Sequence, residues 1–220
     1  EFGYFSEYGV SADSVHLIPN GIEPESYTYH DDEQIRDQFG LKRYPFLLFV
    51  GRLNLIKGPD LLLDAFAAVA EMFPEYQLVF AGTDDGMAKQ LRKMVDTHRL
   101  NDRVHFLGYV GGEQKSALYH AAELLVIPSR LEAMSIVVLE AAMVGTPVLM
   151  TNRCGLDEMT GEIGGVSVPP TIDGLTAGLR QLLSDRDGLV VRGQTLRRFV
   201  KDNYTWEVVI QQYLNLFKQL

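Results

Sequence analysis

Two acidic residues, Glu132 and Glu140, are the first candidates for chemistry, because they lie in a stretch whose order of strands and helix is recognisable from the sequence. Glu132 falls in the turn that leaves the short apolar run Leu124–Ile127, and Glu140 falls about a turn and a half inside the helical stretch that follows. In an open parallel sheet, such a turn lies at the carboxyl ends of the strands, where ligands bind. Both carboxylates are therefore candidates for ligand contacts.

The elements that must position these glutamates form a predicted strand–helix–strand crossover, the unit of parallel sheets. A helix is expected over residues 135–144, because Gly145 suits a left-handed helix end and Pro147 prevents its continuation. Its first turn supplies three backbone N–H groups that favour a phosphate, those of Ser135, Ile136 and Val137. A structural alternative for Glu132 stays open, since Ser129-x-x-Glu132 also fits a capping box.

Two basic residues follow another apolar run, Phe46–Val50, which has the character of a strand buried on both faces. Arg52 and Lys57 should therefore lie at the same carboxyl edge as Glu132. Two cations there can neutralise a diphosphate, and arginine can do so with a bidentate fork. The alternative is that both are solvated loop residues, as most basic loop residues are.

These motifs together resemble family 4 (group 1) of the retaining nucleotide-sugar glycosyltransferases, which have the two-domain GT-B fold. The resemblance rests on Glu132-x7-Glu140 with Gly145-Thr146-Pro147-Val148 after it, on Gly51-Arg52-x4-Lys57-Gly58, and on two weaker matches, Pro19-Asn20-Gly21-Ile22 and Tyr204-Thr205-Trp206-Glu207. The chain departs from the usual Glu-Gly-Phe-Gly turn, with Glu132-Ala133-Met134-Ser135 in its place. That change puts the identity of the donor sugar in doubt more than the phosphate site.

The resemblance implies a role for each candidate residue. Glu132 would bind the donor sugar hydroxyls and Glu140 the nucleotide ribose, which suits carboxylates because each can accept two hydroxyl donors. Arg52 and Lys57 would hold the diphosphate and stabilise it as it departs. Two further residues have alternatives: Tyr109 lies where the family touches the base but is expected to pack on a neighbouring helix instead, and Thr83 would either approach the donor or cap its turn.

The resemblance also implies the reaction and its partners. The donor would be a nucleotide-diphosphate sugar, UDP- or GDP-linked, used without a metal or other cofactor, and the acceptor a saccharide or a lipid-linked sugar. A hexosyltransferase of polysaccharide biosynthesis is the expected enzyme. A sugar-nucleotide epimerase of the same fold and a non-catalytic nucleotide-binding or receiver module are the alternatives.

Strands alternating with helices predict an α/β fold, a doubly wound parallel sheet of about six strands that forms the Rossmann-like half of GT-B. We expect residues 1–220 to be one nucleotide-sugar-binding domain and a piece of a longer protein, inactive without its N-terminal domain. Residues 1–12 and the last helix, predicted at Glu207–Leu220, should pack toward that domain, which could also contact a membrane peripherally. A first strand is predicted at Val15–Ile18.

Composition narrows the range of functions and locations expected for the chain. A net charge of −9 and a pI near 5.0 argue against a nucleic-acid surface. Cys154 is the only cysteine, so the chain has no internal disulfide and no cysteine-built metal site. No apolar run is long enough to span a bilayer and no leader is apparent, so the cytoplasm is the expected location. Asp185-x-Asp187 is interpreted as a solvated loop rather than a metal motif.

Overall fold

The structure is a computed structural model that describes residues 5, 7–11, 14–29, 31–41 and 44–219. Residues 1–4, 6 and 12 lie outside these ranges, so the predicted packing of residues 1–12 stays a prediction. In the described part, six parallel strands form one sheet in the order β3-β2-β1-β4-β5-β6. The strands are β1 Phe46–Val50, β2 Gln77–Ala81, β3 Val104–Gly108, β4 Leu124–Ile127, β5 Val148–Thr151 and β6 Val166–Val168.

Eight α-helices accompany the sheet in the described residues. They are α1 Asp32–Phe39, α2 Pro59–Val69, α3 Ala88–His98, α4 Gly112–Ala121, α5 Ile136–Val144, α6 Ile172–Leu183, α7 Arg186–Asn203 and α8 Trp206–Phe217. Two apolar clusters lie on opposite faces of the sheet, because successive strand residues such as Leu47 and Leu48 alternate between them. The predicted α/β doubly wound sheet is confirmed.

The order of the strands places a topological switch point between β1 and β4. From β1 the chain moves outward through β2 and β3, then returns to the other side of β1 and continues through β5 and β6. The loops that leave β1 and β4 therefore face one another at the carboxyl edge, where open parallel sheets form their ligand crevices. Those loops carry Arg52, Lys57 and Glu132.

One local prediction was wrong. Residues 15–18 form no strand; instead Ile22 makes an isolated parallel bridge with Thr205, and its N–H donates to the Tyr204 carbonyl at 2.8 Å. Sequence alone hid this bridge, since its partner is remote in the chain. Asp185 is exposed, as predicted, and its side chain also caps α7 by accepting the N–H of Gly188 at 3.0 Å.

Candidate functional site

A lysine and a glutamate meet at the switch point. Nζ of Lys57 lies 3.0 Å from Oε2 of Glu132, and the two side chains are 27% and 9% exposed. The hydroxyl of Ser129 donates to the other carboxylate oxygen of Glu132. Glu132 precedes α5 by several residues, and Ser135 is the N-cap of that helix, so the capping-box alternative is wrong. Glu132 is instead a carboxylate held at the open edge of the sheet.

The loop after β1 is pressed against the loop after β4. Gly58 has φ +69°, and a Cβ built there would lie 2.2 Å from the carbonyl oxygen of Pro128, so only glycine fits. Arg130 forms two parallel bonds with the Asp60 carboxylate, at 2.9 and 2.7 Å. The backbone N–H of Arg130 also donates to the Ile56 carbonyl at 2.8 Å. These contacts fix the distance between Lys57 and Glu132.

The turn that carries Glu132 rests on the segment that follows β5. The N–H of Glu132 donates to the Arg153 carbonyl at 2.8 Å, and the N–H of Ser135 donates to the Cys154 carbonyl at 3.0 Å. The Ser135 amide is therefore occupied, and Ser135 itself is buried. As the structure stands, the predicted phosphate donors reduce to the amides of Ile136 and Val137, which lie in the first turn of α5 without an intrahelical acceptor.

Arg52 lies on the same loop as Lys57 but is more open to solvent. Its Nη1 is 3.1 Å from Oδ2 of Asp85, and the side chains are 65% and 47% exposed. Asn54 donates to the same Asp85 oxygen at 2.8 Å and accepts the N–H of Lys57 at 2.9 Å. The guanidinium keeps further N–H groups for an anion, because only one of its nitrogens has a partner among the described residues.

Glu140 is buried and surrounded by donors. Its Oε1 accepts the hydroxyl of Tyr27 at 2.7 Å and the ammonium of Lys115 at 2.8 Å. Its Oε2 accepts the hydroxyl of Tyr119 at 2.6 Å. A carboxylate offers about four acceptor positions, so about one stays open. A diol that used both oxygens of Glu140 would therefore have to displace a donor.

Both tyrosines of this cluster are protonated donors at neutral pH. Burial raises the pKa of the Tyr119 phenol well above its ordinary value, and the neighbouring Glu140 carboxylate raises it further. The pKa of Tyr27 is raised by the same two causes in the same order. Because a neutral phenol donates one hydrogen bond, each tyrosine can donate to Glu140 throughout the physiological pH range.

Two other predicted residues, Thr83 and Tyr109, follow β2 and β3 at the same edge and are exposed. Tyr109 is 78% exposed, so its expected packing on a neighbouring helix is wrong. Thr83 is also exposed, and the capping role belongs to Asp84, whose side chain accepts the N–H groups of Gly86, Met87 and Ala88. Contacts of Tyr109 or Thr83 with a ligand stay predictions.

The sequence analysis missed several residues around the site, above all Tyr27, Lys115 and Tyr119. Lys115 had a usable signal, because it lies in the first turn of a helix that follows a strand and so belongs to the carboxyl edge. Tyr27 had none, because its partner Glu140 is remote in the sequence. In the described part of the chain, no group of three or more His, Cys, Asp or Glu side chains could hold a metal ion. Nor does that part contain a helix long and apolar enough to cross a membrane.

Comparison with known proteins identifies a matching family model, relatives in sequence and similar solved structures. The family model described as "Glycosyl transferases group 1" matches residues 31–206. An uncharacterized glycosyltransferase of Methanocaldococcus jannaschii is 31% identical over 97% of this chain and 56% of its own length. Sucrose-phosphate synthase of Thermosynechococcus elongatus superposes with a TM-score of 0.81 at 28% identity, over 99% of this chain and 55% of that one.

A further solved structure extends the similarity in fold. HepE of Anabaena, in complex with UDP-glucose, superposes with a TM-score of 0.86 at 23% identity, over 100% of this chain and 61% of that one. The chain thus spans little more than half the length of each of these three proteins. The similarity therefore concerns only the part of each of these proteins that this chain covers.

Proposed function

Because the chain belongs to the group 1 glycosyltransferases, we propose that it is the donor-binding domain of a retaining enzyme that transfers a hexose-type sugar from a nucleotide-diphosphate sugar. The observation that carries the proposal is the meeting of Lys57 with Glu132 at the switch point. A cation and a carboxylate side by side suit a ligand that joins a diphosphate to a sugar, since each half finds its complement.

Each residue then has one role. Arg52 and Lys57 hold the diphosphate, Glu132 accepts hydroxyls of the sugar, and Glu140 accepts a hydroxyl of the ribose. The amides of Ile136 and Val137 and the positive end of α5 add donors for a phosphate. The UDP-glucose bound to HepE supports a uridine nucleotide, although that neighbour is similar in fold rather than in detail.

In the reaction, the bond between the anomeric carbon and the diphosphate oxygen breaks, and its electron pair leaves with the diphosphate. The acceptor oxygen forms the new bond to the anomeric carbon, and its proton passes to the departing diphosphate. Two fixed cations stabilise the charge that grows on the leaving group, in a site already arranged before the reaction. No metal is needed for this role if Arg52 and Lys57 provide it.

The acceptor and the turnover belong to the longer protein. We propose that a preceding domain binds a saccharide or lipid-linked acceptor, in the cytoplasm and with peripheral membrane contact, in polysaccharide biosynthesis. The 220-residue chain would then bind donor but transfer nothing. Turnover of a nucleotide sugar by this chain alone would contradict that part of the proposal.

Calorimetry with UDP, GDP, ADP and pyrophosphate tests the donor site. We expect binding of at least one nucleoside diphosphate, and loss of both nucleotide and pyrophosphate binding in the Arg52→Ala/Lys57→Ala double variant. Arg180→Ala serves as the control, because this exposed arginine lies on α6, away from the switch point. Unchanged affinity in the double variant would remove the phosphate assignment.

A further inference from the structure

Three parts of the chain converge on the Glu140 carboxylate: α4, α5 and the short 3-10 helix Pro24–Tyr27. The groups that face it are two phenols, Tyr27 and Tyr119, and one cation, Lys115. His120, also on α4, contacts the Tyr27 carbonyl instead. Among the contacts in the described residues, Lys115 is thus the cation paired with this carboxylate.

The cation matters because Glu140 is only 8% exposed. A buried carboxylate is costly unless a partner compensates its charge, and two neutral phenols compensate it only in part. Nζ of Lys115 also lies 6.0 Å from the centroid of the Tyr27 ring, which helps to hold the ammonium over the carboxylate. The side chain of Lys115 is 25% exposed and therefore reachable by a ligand at the edge.

We propose that Lys115 is a positioning residue for nucleoside recognition: its ammonium keeps Glu140 charged and oriented, so that the carboxylate can accept a ribose hydroxyl. This inference rests on the proposed function, because it takes Glu140 to be the ribose contact. When a nucleoside covers the cluster, it removes the remaining water from Glu140. The attraction between the Glu140 carboxylate and the Lys115 ammonium should then be strongest.

The consequence of losing the cation follows directly. In a Lys115→Met variant, covering Glu140 would leave a buried carboxylate without a cationic partner, an environment that favours the neutral form of a carboxyl. A protonated carboxyl presents one O–H and loses acceptor capacity. Nucleotide binding by the variant should therefore weaken toward acidic pH, whereas binding of pyrophosphate, which lacks ribose, should follow the wild type.

The experiment measures UDP-glucose and pyrophosphate affinity by calorimetry at about pH 7.5 and about pH 5.5. UDP-glucose is the probe because its phosphates are diesters, whose charge is constant over this range. We expect Lys115→Met to lose about tenfold more UDP-glucose affinity than wild type on acidification, because a nearby opposite charge favours the ionised form of a carboxyl. Lys115→Arg should restore the wild-type profile.

Tyr27→Phe is the matched control, because it removes a donor from the same oxygen without removing charge. Because Lys115 stays in place, we expect Tyr27→Phe to change UDP-glucose affinity by a similar factor at both pH values. In a Glu140→Gln background, Lys115→Met should add no pH dependence. A wild-type profile in Lys115→Met, with wild-type binding intact, would overturn this inference alone. Failure of the wild type to bind either probe would contradict the proposed function, and this inference with it.

Discussion

Nζ of Lys57 and Oε2 of Glu132 are 3.0 Å apart, and this contact joins the two loops that flank the switch point of the sheet. The lysine comes from the loop after β1 and the glutamate from the loop after β4. Because both side chains are more than two-thirds buried, the pair is shielded from solvent more than an ordinary surface ion pair. A ligand that joins a diphosphate to a sugar can therefore contact both.

This pairing predicts that Glu132 acts on the sugar and not on the diphosphate. Glu132→Gln should change UDP affinity by less than about threefold, since Lys57 keeps its charge and loses only a competing anion. The same variant should lose any advantage of UDP-glucose over UDP. Calorimetry with both ligands checks this, with Glu123→Gln as control, because Glu123 pairs with Arg186 elsewhere in the fold. A large loss of UDP affinity would argue against the division of roles.

The close approach at Gly58 predicts a second effect. Gly58→Ala should destabilise the chain by about 2 kcal/mol or more, because the new Cβ would add a backbone clash to the strain of a positive φ. It should also weaken pyrophosphate binding by moving Lys57. Gly40→Ala is a matched control, since Gly40 has φ +63° but nothing within 4 Å of an added Cβ.

For Gly40→Ala we expect a cost of about 1 kcal/mol, the strain alone, and no change in ligand binding. Urea denaturation and calorimetry give both quantities. Equal destabilisation by the two substitutions would mean that the close contact of Gly58 with Pro128 adds nothing to the cost of Gly58→Ala.

Arg103 predicts a purely structural effect. Its guanidinium donates to the carbonyls of Ala70, Phe73 and Tyr76 at distances between 2.6 and 2.9 Å. Arg103→Met should lower the free energy of unfolding by about 2–4 kcal/mol, because it removes the donor of the Ala70 and Tyr76 carbonyls and one of the two donors of the Phe73 carbonyl. UDP affinity should not change. Arg180→Met should cost less than about 0.5 kcal/mol.

Tyr76 predicts a dependence on alkaline pH. Burial and the nearby Glu123 carboxylate raise the pKa of its phenol to about 12, against about 10 in the unfolded chain. The stabilising contribution is therefore complete below about pH 10 and is lost as the pH rises toward about 12, because the unfolded state releases the proton first. Thermal unfolding should show a shallower alkaline decline in Tyr76→Phe. The same decline as wild type would contradict this origin.

The sequence predicted the order of elements well because most strands are short apolar runs closed by glycine or proline. It also predicted that Lys57 and Glu132 lie at the same edge of the sheet, since the carboxyl ends of parallel strands meet there; their direct contact was not predicted. It did not reveal the bonds to Glu140 from Tyr27 and Tyr119, nor the occupied amide of Ser135. Those depend on side-chain packing between elements distant in the chain, which periodicity does not encode.

The central claim is that Arg52 and Lys57 recognise the second phosphate of a nucleotide at the switch point. The most direct measurement is the ratio of the dissociation constants of UMP and UDP, in the wild type and in the Arg52→Ala/Lys57→Ala variant, at constant ionic strength. We predict that the wild type prefers UDP by about tenfold or more, as charge-assisted bonds to a phosphate imply, and that the variant has no preference. Equal preference in both proteins would contradict the account.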